Sequence, residues 1–141
     1  MLKNIPSILS PELLKILMEM GHGDEIVISD GNFPAASMAQ RLVRLDGHGV
    51  PEVLTAILDL MPLDIYVEAP VALMEVVKGD TYVPEIWDTY LSIIEEKEGD
   101  KKIENIERFA FYDRAKLAYA VVATGETSLY ANIILKKGVV V

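Results

Sequence analysis

The stretch Ser10–Pro34, "SPELLKILMEMGHGDEIVISDGNFP", places a capped helix directly before a short apolar strand. Ser10 supplies the N-cap, Pro11 takes the first helical position, and Glu12 complements the positive end of the helix dipole. Leu13, Leu14, Leu17, Met18 and Met20 make the expected apolar face, with Gly21 as the stop. "EIVIS" then reads as a buried strand, its Ile and Val suited to a pleated surface. "DGNFP" ends it with turn chemistry. The order helix, strand, turn is the unit from which layered α/β sheets are made.

The same alternation continues outward. "AASMAQRL" predicts a short helix and "VRLD" a second strand, closed by the "DGHG" turn. Pro51 opens the helix "PEVLTAILDLM", which Pro62 stops. "DIYVEAPVALMEVV" is strand-like, with Pro70 marking an edge or a break. Pro84 begins "PEIWDTYLSIIEEK", whose Ile86, Tyr90, Ile93 and Ile94 share one face. "EKEGDKK" (96–102) reads as a solvated connector, too short to separate domains. "KIENI", the helical "RFAFYDRAKLA", and the strands "AYAVVATG" and "NIILKKGVVV" complete the chain. No internal repeat is present. The pattern predicts an α/β layered fold.

Composition narrows the function. The chain has 141 residues, enough for one domain with a proper core. Its 51% hydrophobic content points to a sheet covered on both faces or to surface shared with neighbouring subunits. A formal net charge of -9 argues against nucleic acid and against anionic membrane surfaces. The absence of cysteine excludes disulfides and thiolate metal sites. No apolar run reaches the ~18 residues of a membrane span, and no signal-peptide pattern opens the chain, so the cytoplasm is the expected compartment. No glycine-rich phosphate loop follows a strand, and no serine nucleophile elbow or metal-ligand spacing occurs.

Individual residues carry the remaining chemistry. His22, between Gly21 and Gly23, is either a loop histidine favoured by the preceding helix terminus or a group set up for proton transfer near neutrality. Asp30 lies past the carboxyl end of an apolar strand, where open α/β sheets bind ligands; the alternative is an Asx turn. A five-residue strand spans ~17 Å, so His22 and Asp30 of a straight strand cannot reach one small molecule. They meet only if the strand is bent or if two chains share the site. Arg108 opens a helix where its charge is disfavoured, which fits a ligand contact or an ion pair. Tyr112 and Tyr130 offer phenols or core rings, and Asn132 an amide or an ordinary turn. His48 has no partner spacing and reads as structural.

Four segments together resemble the family of fucose mutarotases and ribose pyranases: "LLKILMEMGHGDEIVISDGNFP", "LDIYVEAPV", "ERFAFYDRAKLAYAVVATGE" and "LYANIILKKGVV". The resemblance covers essentially the whole chain, and "RFAFYDRAKLAYAVVATGE" is similar to the fucose branch. It implies an RbsD-like layered α/β domain over residues 1–141, with a mixed, mostly parallel sheet flanked by helices. It further implies an isomerase of carbohydrate metabolism that exchanges the α and β anomers of L-fucose; a ribose pyranase and a non-catalytic monosaccharide-binding protein are the alternatives. His22 then matches the catalytic proton donor. Asp30, Arg108 and the segment Tyr130-Ala131-Asn132 match substrate contacts, with Tyr112 added by its proximity to Arg108. Many relatives carry glycine at the position of Ala131. The resemblance implies no cofactor or metal, and a homo-oligomer, a ring-shaped decamer of two stacked pentamers with sites near subunit interfaces.

Overall fold

A computed structural model describes residues 1–141. In chain order the elements are α1 (Pro11–Glu19), β1 (Glu25–Ser29), α2 (Ala35–Met38), β2 (Leu42–Leu45), α3 (Val50–Leu58) and β3 (Val71–Met74). They continue with α4 (Ile86–Glu98), β4 (Ile103–Ile106), α5 (Arg108–Leu117), β5 (Ala120–Thr124) and β6 (Ile133–Lys136). One six-stranded sheet runs in the order β2-β5-β1-β6-β3-β4. β2, β5 and β1 pair in parallel, as do β3 and β4. β6 is antiparallel to both of its neighbours, β1 and β3. The mixed, mostly parallel sheet flanked by helices is therefore as expected.

The central strands are apolar without alternation because both faces of the sheet are covered. Ile26 and Ile28 of β1 enter one core with Leu13, Leu54, Ile57 and Tyr90, on the side of α1, α3 and α4. Val27, between them, enters a second core with Phe33, Phe111 and Ala115, on the side of α2 and α5. β5 and β6 divide the same way: Val122 and Leu135 go to the first core, Val121 and Ile134 to the second. The two-residue period of a strand thus feeds both layers, each fully buried Val or Ile contributing ~1.5–3 kcal/mol.

Several boundaries depart from the sequence reading. The buried stripe of α1 is Leu13, Ile16 and Leu17, followed by Met20, whereas Met18 is 86% exposed. That stripe follows i, i+3, i+4, i+7, and Met18 falls outside it. The helix ends at Glu19 with Met20 extended, so Gly21 is not its cap. Only Ala35–Met38 of "AASMAQRL" is helical. Of the long strand-like run, only Val71–Met74 is strand; Asp64 accepts the Tyr66 N–H in a side-chain turn, and the Pro70 carbonyl accepts the Lys136 N–H at 2.8 Å at the entry to β3. α4 absorbs Glu96–Glu98 of the expected connector.

Candidate functional site

Because five strands run one way and β6 the other, the amino end of β6 lies among the carboxyl ends of β1 and β3. Asp30 follows β1, Met74 ends β3, Arg108 opens α5 just after β4, and Asn132 precedes β6. These residues line one cleft with Asn32, Phe33, Val77, Asp80, Tyr112, Leu129 and Tyr130. Its volume is ≈ 230 Å³, below the ~300–1,000 Å³ of sites for drug-sized ligands. The sheet edge thus brings together Asp30, Arg108, Tyr112, Tyr130 and Asn132 from three separate parts of the chain.

Asp30 is 6% exposed and makes an Asx turn at the cleft. Its Oδ1 accepts the Asn32 N–H at 3.0 Å, an Asx turn, while the residue also lines the cleft. Burial pushes its carboxyl above the usual carboxylate range, against the lowering effect of the backbone N–H groups of Asn32, Ala131 and Phe33; the charge of Glu126 adds to the rise. Asn132 accepts the Asp30 N–H through Oδ1 at 2.8 Å, and no hydrogen bond within the chain engages its Nδ2. Arg108 forms no ion pair; its guanidinium lies 4.7 Å from the Phe109 ring centroid. Tyr112 packs edge-on to Phe33 at 5.8 Å and Phe109 at 6.3 Å.

Residues 130–132 are held from behind. Tyr90 is fully buried and donates its hydroxyl to the Ala131 carbonyl at 2.7 Å. Trp87 donates Nε1–H to the Tyr130 carbonyl at 2.8 Å. Tyr130 itself has φ 55, a left-handed conformation that non-glycine residues adopt at a cost of ~1–3 kcal/mol. Ala131 is wholly buried and is not part of the cleft lining. Its backbone N–H instead hydrogen-bonds the Asp30 carboxyl.

His22 is absent from the cleft. β1 is a five-residue strand, so the histidine sits at the amino edge of the sheet and Asp30 at the carboxyl edge, ~17 Å away. A tight turn presents it. Asp24 accepts the Gly21 N–H at 2.7 Å, and the Gly23 N–H donates to the Lys137 carbonyl at 2.8 Å. Gly23 has φ 87, which explains its identity. Gly21 has ordinary space for a Cβ.

The imidazole has a partner that the sequence did not reveal. His22 Nε2 lies 3.0 Å from Oδ1 of Asp64, a carboxylate 3% exposed. The Tyr66 N–H donates to the same oxygen at 3.0 Å, and the Tyr66 ring lies 5.4 Å from the imidazole. Chiefly this N–H, and after it His22, holds the Asp64 carboxyl below its usual range. An ionised carboxylate only accepts, so Nε2 carries a proton toward Asp64 and Nδ1 is the nitrogen left to exchange a proton with a ligand. The imidazole is oriented by Asp64, not by Asp30. Asp64 lies in "LDIYVEAPV", 42 positions from His22, and no local spacing links them. His48 lies 3.2 Å from Glu52 where α3 begins and does not line the cleft.

The sequence profile of the RbsD / FucU transport protein family matches residues 3–140. The chain belongs to this family. An L-fucose mutarotase of Actinobacillus pleuropneumoniae serotype 5b is 56% identical over 140 residues, covering 99% of this chain and 97% of the relative. The fold superposes on the crystal structure of the fucose mutarotase from Streptococcus pneumoniae in complex with L-fucose, with a TM-score of 0.96. That protein is 60% identical, over 99% of this chain and 100% of the other. Bacillus subtilis RbsD, solved with D-ribose, shares 28% identity and a TM-score of 0.73, over 94% and 95%. Within the family, the chain is thus much nearer to the fucose proteins than to this ribose protein.

Proposed function

We propose that this protein is an L-fucose mutarotase, exchanging the α and β anomers by opening and reclosing the sugar ring. The observation that carries the reading is the cleft at the carboxyl edge. Asp30, Arg108 and Asn132 there face an apolar wall of Phe33, Met74, Val77 and Leu129. A 6-deoxy sugar matches both halves, with hydroxyls for the polar groups and a methyl for the wall. The relatives named for this activity agree with it.

Anomer exchange breaks the bond between C1 and the ring oxygen. An acid protonates the ring oxygen while a base takes the proton of the anomeric hydroxyl, leaving an open-chain aldehyde. Rotation about C1–C2 and the reverse proton transfers close the ring on the other face. His22 supplies the ring-oxygen proton, with Asp64 stabilising the imidazolium. Since one chain keeps His22 and the cleft at opposite sheet edges, the histidine comes from a neighbouring copy. Ile65 and Tyr66, 61% and 69% exposed beside His22, fit a surface that another chain covers. Acid–base assistance of this kind contributes ~10²–10⁴-fold, without any redox group. A homo-oligomeric ring in the cytoplasm belongs to the same proposal; no helix is long and apolar enough to cross a membrane.

NMR magnetisation exchange between α and β L-fucose tests the reading. Acceleration by the protein that vanishes in His22→Ala is expected. No acceleration, or full acceleration in His22→Ala, overturns it. Acceleration with D-ribose alone assigns a pyranase, and binding without exchange assigns a silent sugar-binding protein.

A further inference from the structure

The segment between β3 and α4, residues 75–85, has no regular structure, yet it lends Val77 and Asp80 to the cleft. Its path is well specified. The Asp80 N–H donates to the Val77 carbonyl at 2.9 Å across a turn, and Gly79 has φ 93 at the position where a type II turn requires it. The turn commits both oxygens of Asp80. Oδ1 accepts the Tyr82 N–H at 2.9 Å, and Oδ2 accepts the Tyr130 hydroxyl at 2.7 Å. The Val77 N–H reaches the same phenol oxygen at 3.4 Å, and the Tyr82 and Tyr130 rings lie 5.9 Å apart. Tyr130 is therefore fixed from the front by this turn and from behind by Trp87.

We propose that Asp80 is a positioning residue of the sugar site, one that accepts the hydrogen bond of the Tyr130 phenol and so presents the phenol oxygen to the cleft as a hydrogen-bond acceptor. The inference rests on the cleft being the sugar site. A phenol has a single proton, and a carboxylate can only accept. With that proton committed to Asp80, what Tyr130 offers a sugar hydroxyl is a lone pair. The cleft is then balanced for hydroxyls, each of which donates and accepts: Arg108 and Asn132 Nδ2 donate, while Asp30 and Tyr130 accept. The bond to Tyr130 is the main reason that the Asp80 carboxyl lies below its usual range, and the Tyr130 phenol is raised in turn. Both shifts hold the proton on the phenol and its hydrogen bond on Asp80.

Asp80→Asn tests this with little change of shape. Its carbonyl still accepts the Tyr82 N–H, but its NH₂ donates to the phenol oxygen and forces the Tyr130 proton toward the cleft. The expected result is a loss of about tenfold or more in kcat/KM for L-fucose, carried mainly by KM, with the thermal midpoint unchanged. In a Tyr130→Phe background the same substitution should have no further effect, since the group it acts through is gone. Activity of Asp80→Asn within twofold of the parent, or additive losses in the double variant, overturns the inference. Arg108→Ala separates it from the parent reading. If Arg108→Ala leaves exchange intact, the sugar site is wrong; if Arg108→Ala abolishes exchange and Asp80→Asn does not, only the role of Asp80 falls.

Discussion

Mixing two inactive variants gives the sharpest test of a site shared between chains. His22→Ala removes the imidazole but leaves the cleft; Arg108→Ala damages the cleft but leaves the His22–Asp64 pair. The residues sit at opposite edges of the sheet, separated by the length of β1, ~17 Å. Neither homo-oligomer therefore contains a complete site. In an assembly refolded from equal amounts of both, a site works only where an intact cleft meets an intact histidine. With random mixing, half the clefts are intact and half the histidines facing them are, so activity per site returns to about one quarter of the parent. The assay is the rate of α/β exchange of L-fucose by NMR, with native mass spectrometry to verify mixed assemblies. A site contained in one chain predicts no recovery at any mixing ratio. Verified hetero-oligomers with no activity would therefore refute the shared site.

Other substitutions probe the supports of the cleft. Tyr90→Phe leaves the buried Ala131 carbonyl without its donor, which costs ~1–3 kcal/mol. A fall in thermal midpoint of about 3 °C or more is expected, with a raised KM as residues 130–132 loosen; an unchanged KM would detach them from sugar binding. Gly125→Ala places a Cβ 2.1 Å from the Asp46 carbonyl oxygen, so chemical denaturation should register a loss of at least about 2 kcal/mol. Asp30→Asn should abolish tight sugar binding without loss of stability at neutral pH. The folded-state pKa of Asp30 is raised, so its ionised form opposes folding above that value, and this penalty disappears as pH falls through it. Parallel denaturation series should show the parent gaining stability relative to Asp30→Asn on mild acidification, and an opposite slope would contradict the burial argument.

Much of the fold was legible because local physics and global packing agree. Ser10 caps α1 through its side chain, accepting the Leu13 N–H at 3.2 Å, as the "SPE" pattern implies. Strands β1, β5 and β6 are unmistakable Val/Ile runs because both sheet faces bury them. The weaker readings failed where side chains, not periodicity, set the backbone. Residues 64–70 look like strand, yet the Asp64 carboxylate accepts the Tyr66 N–H and turns the chain there. Asp30, Arg108 and Asn132 were readable as ends of elements, the places where an α/β sheet presents ligand groups. Asp64 and Asp80 were not, because each acts on a partner far along the chain, His22 and Tyr130 respectively.

The amino-acid sequence alone determined the alternation of helix and strand and the acidic, cysteine-free chemistry, and the tertiary structure showed that both faces of the sheet are covered. The sequence also set the His22–Asp30 separation, since the length of a strand is a local property. Only tertiary structure decided that β6 runs against its neighbours and so delivers Asn132 to the edge that holds Asp30. It alone gave the imidazole Asp64 as its partner. Strand direction and long-range pairing are fixed by how the two cores close, and no short window of sequence contains that information.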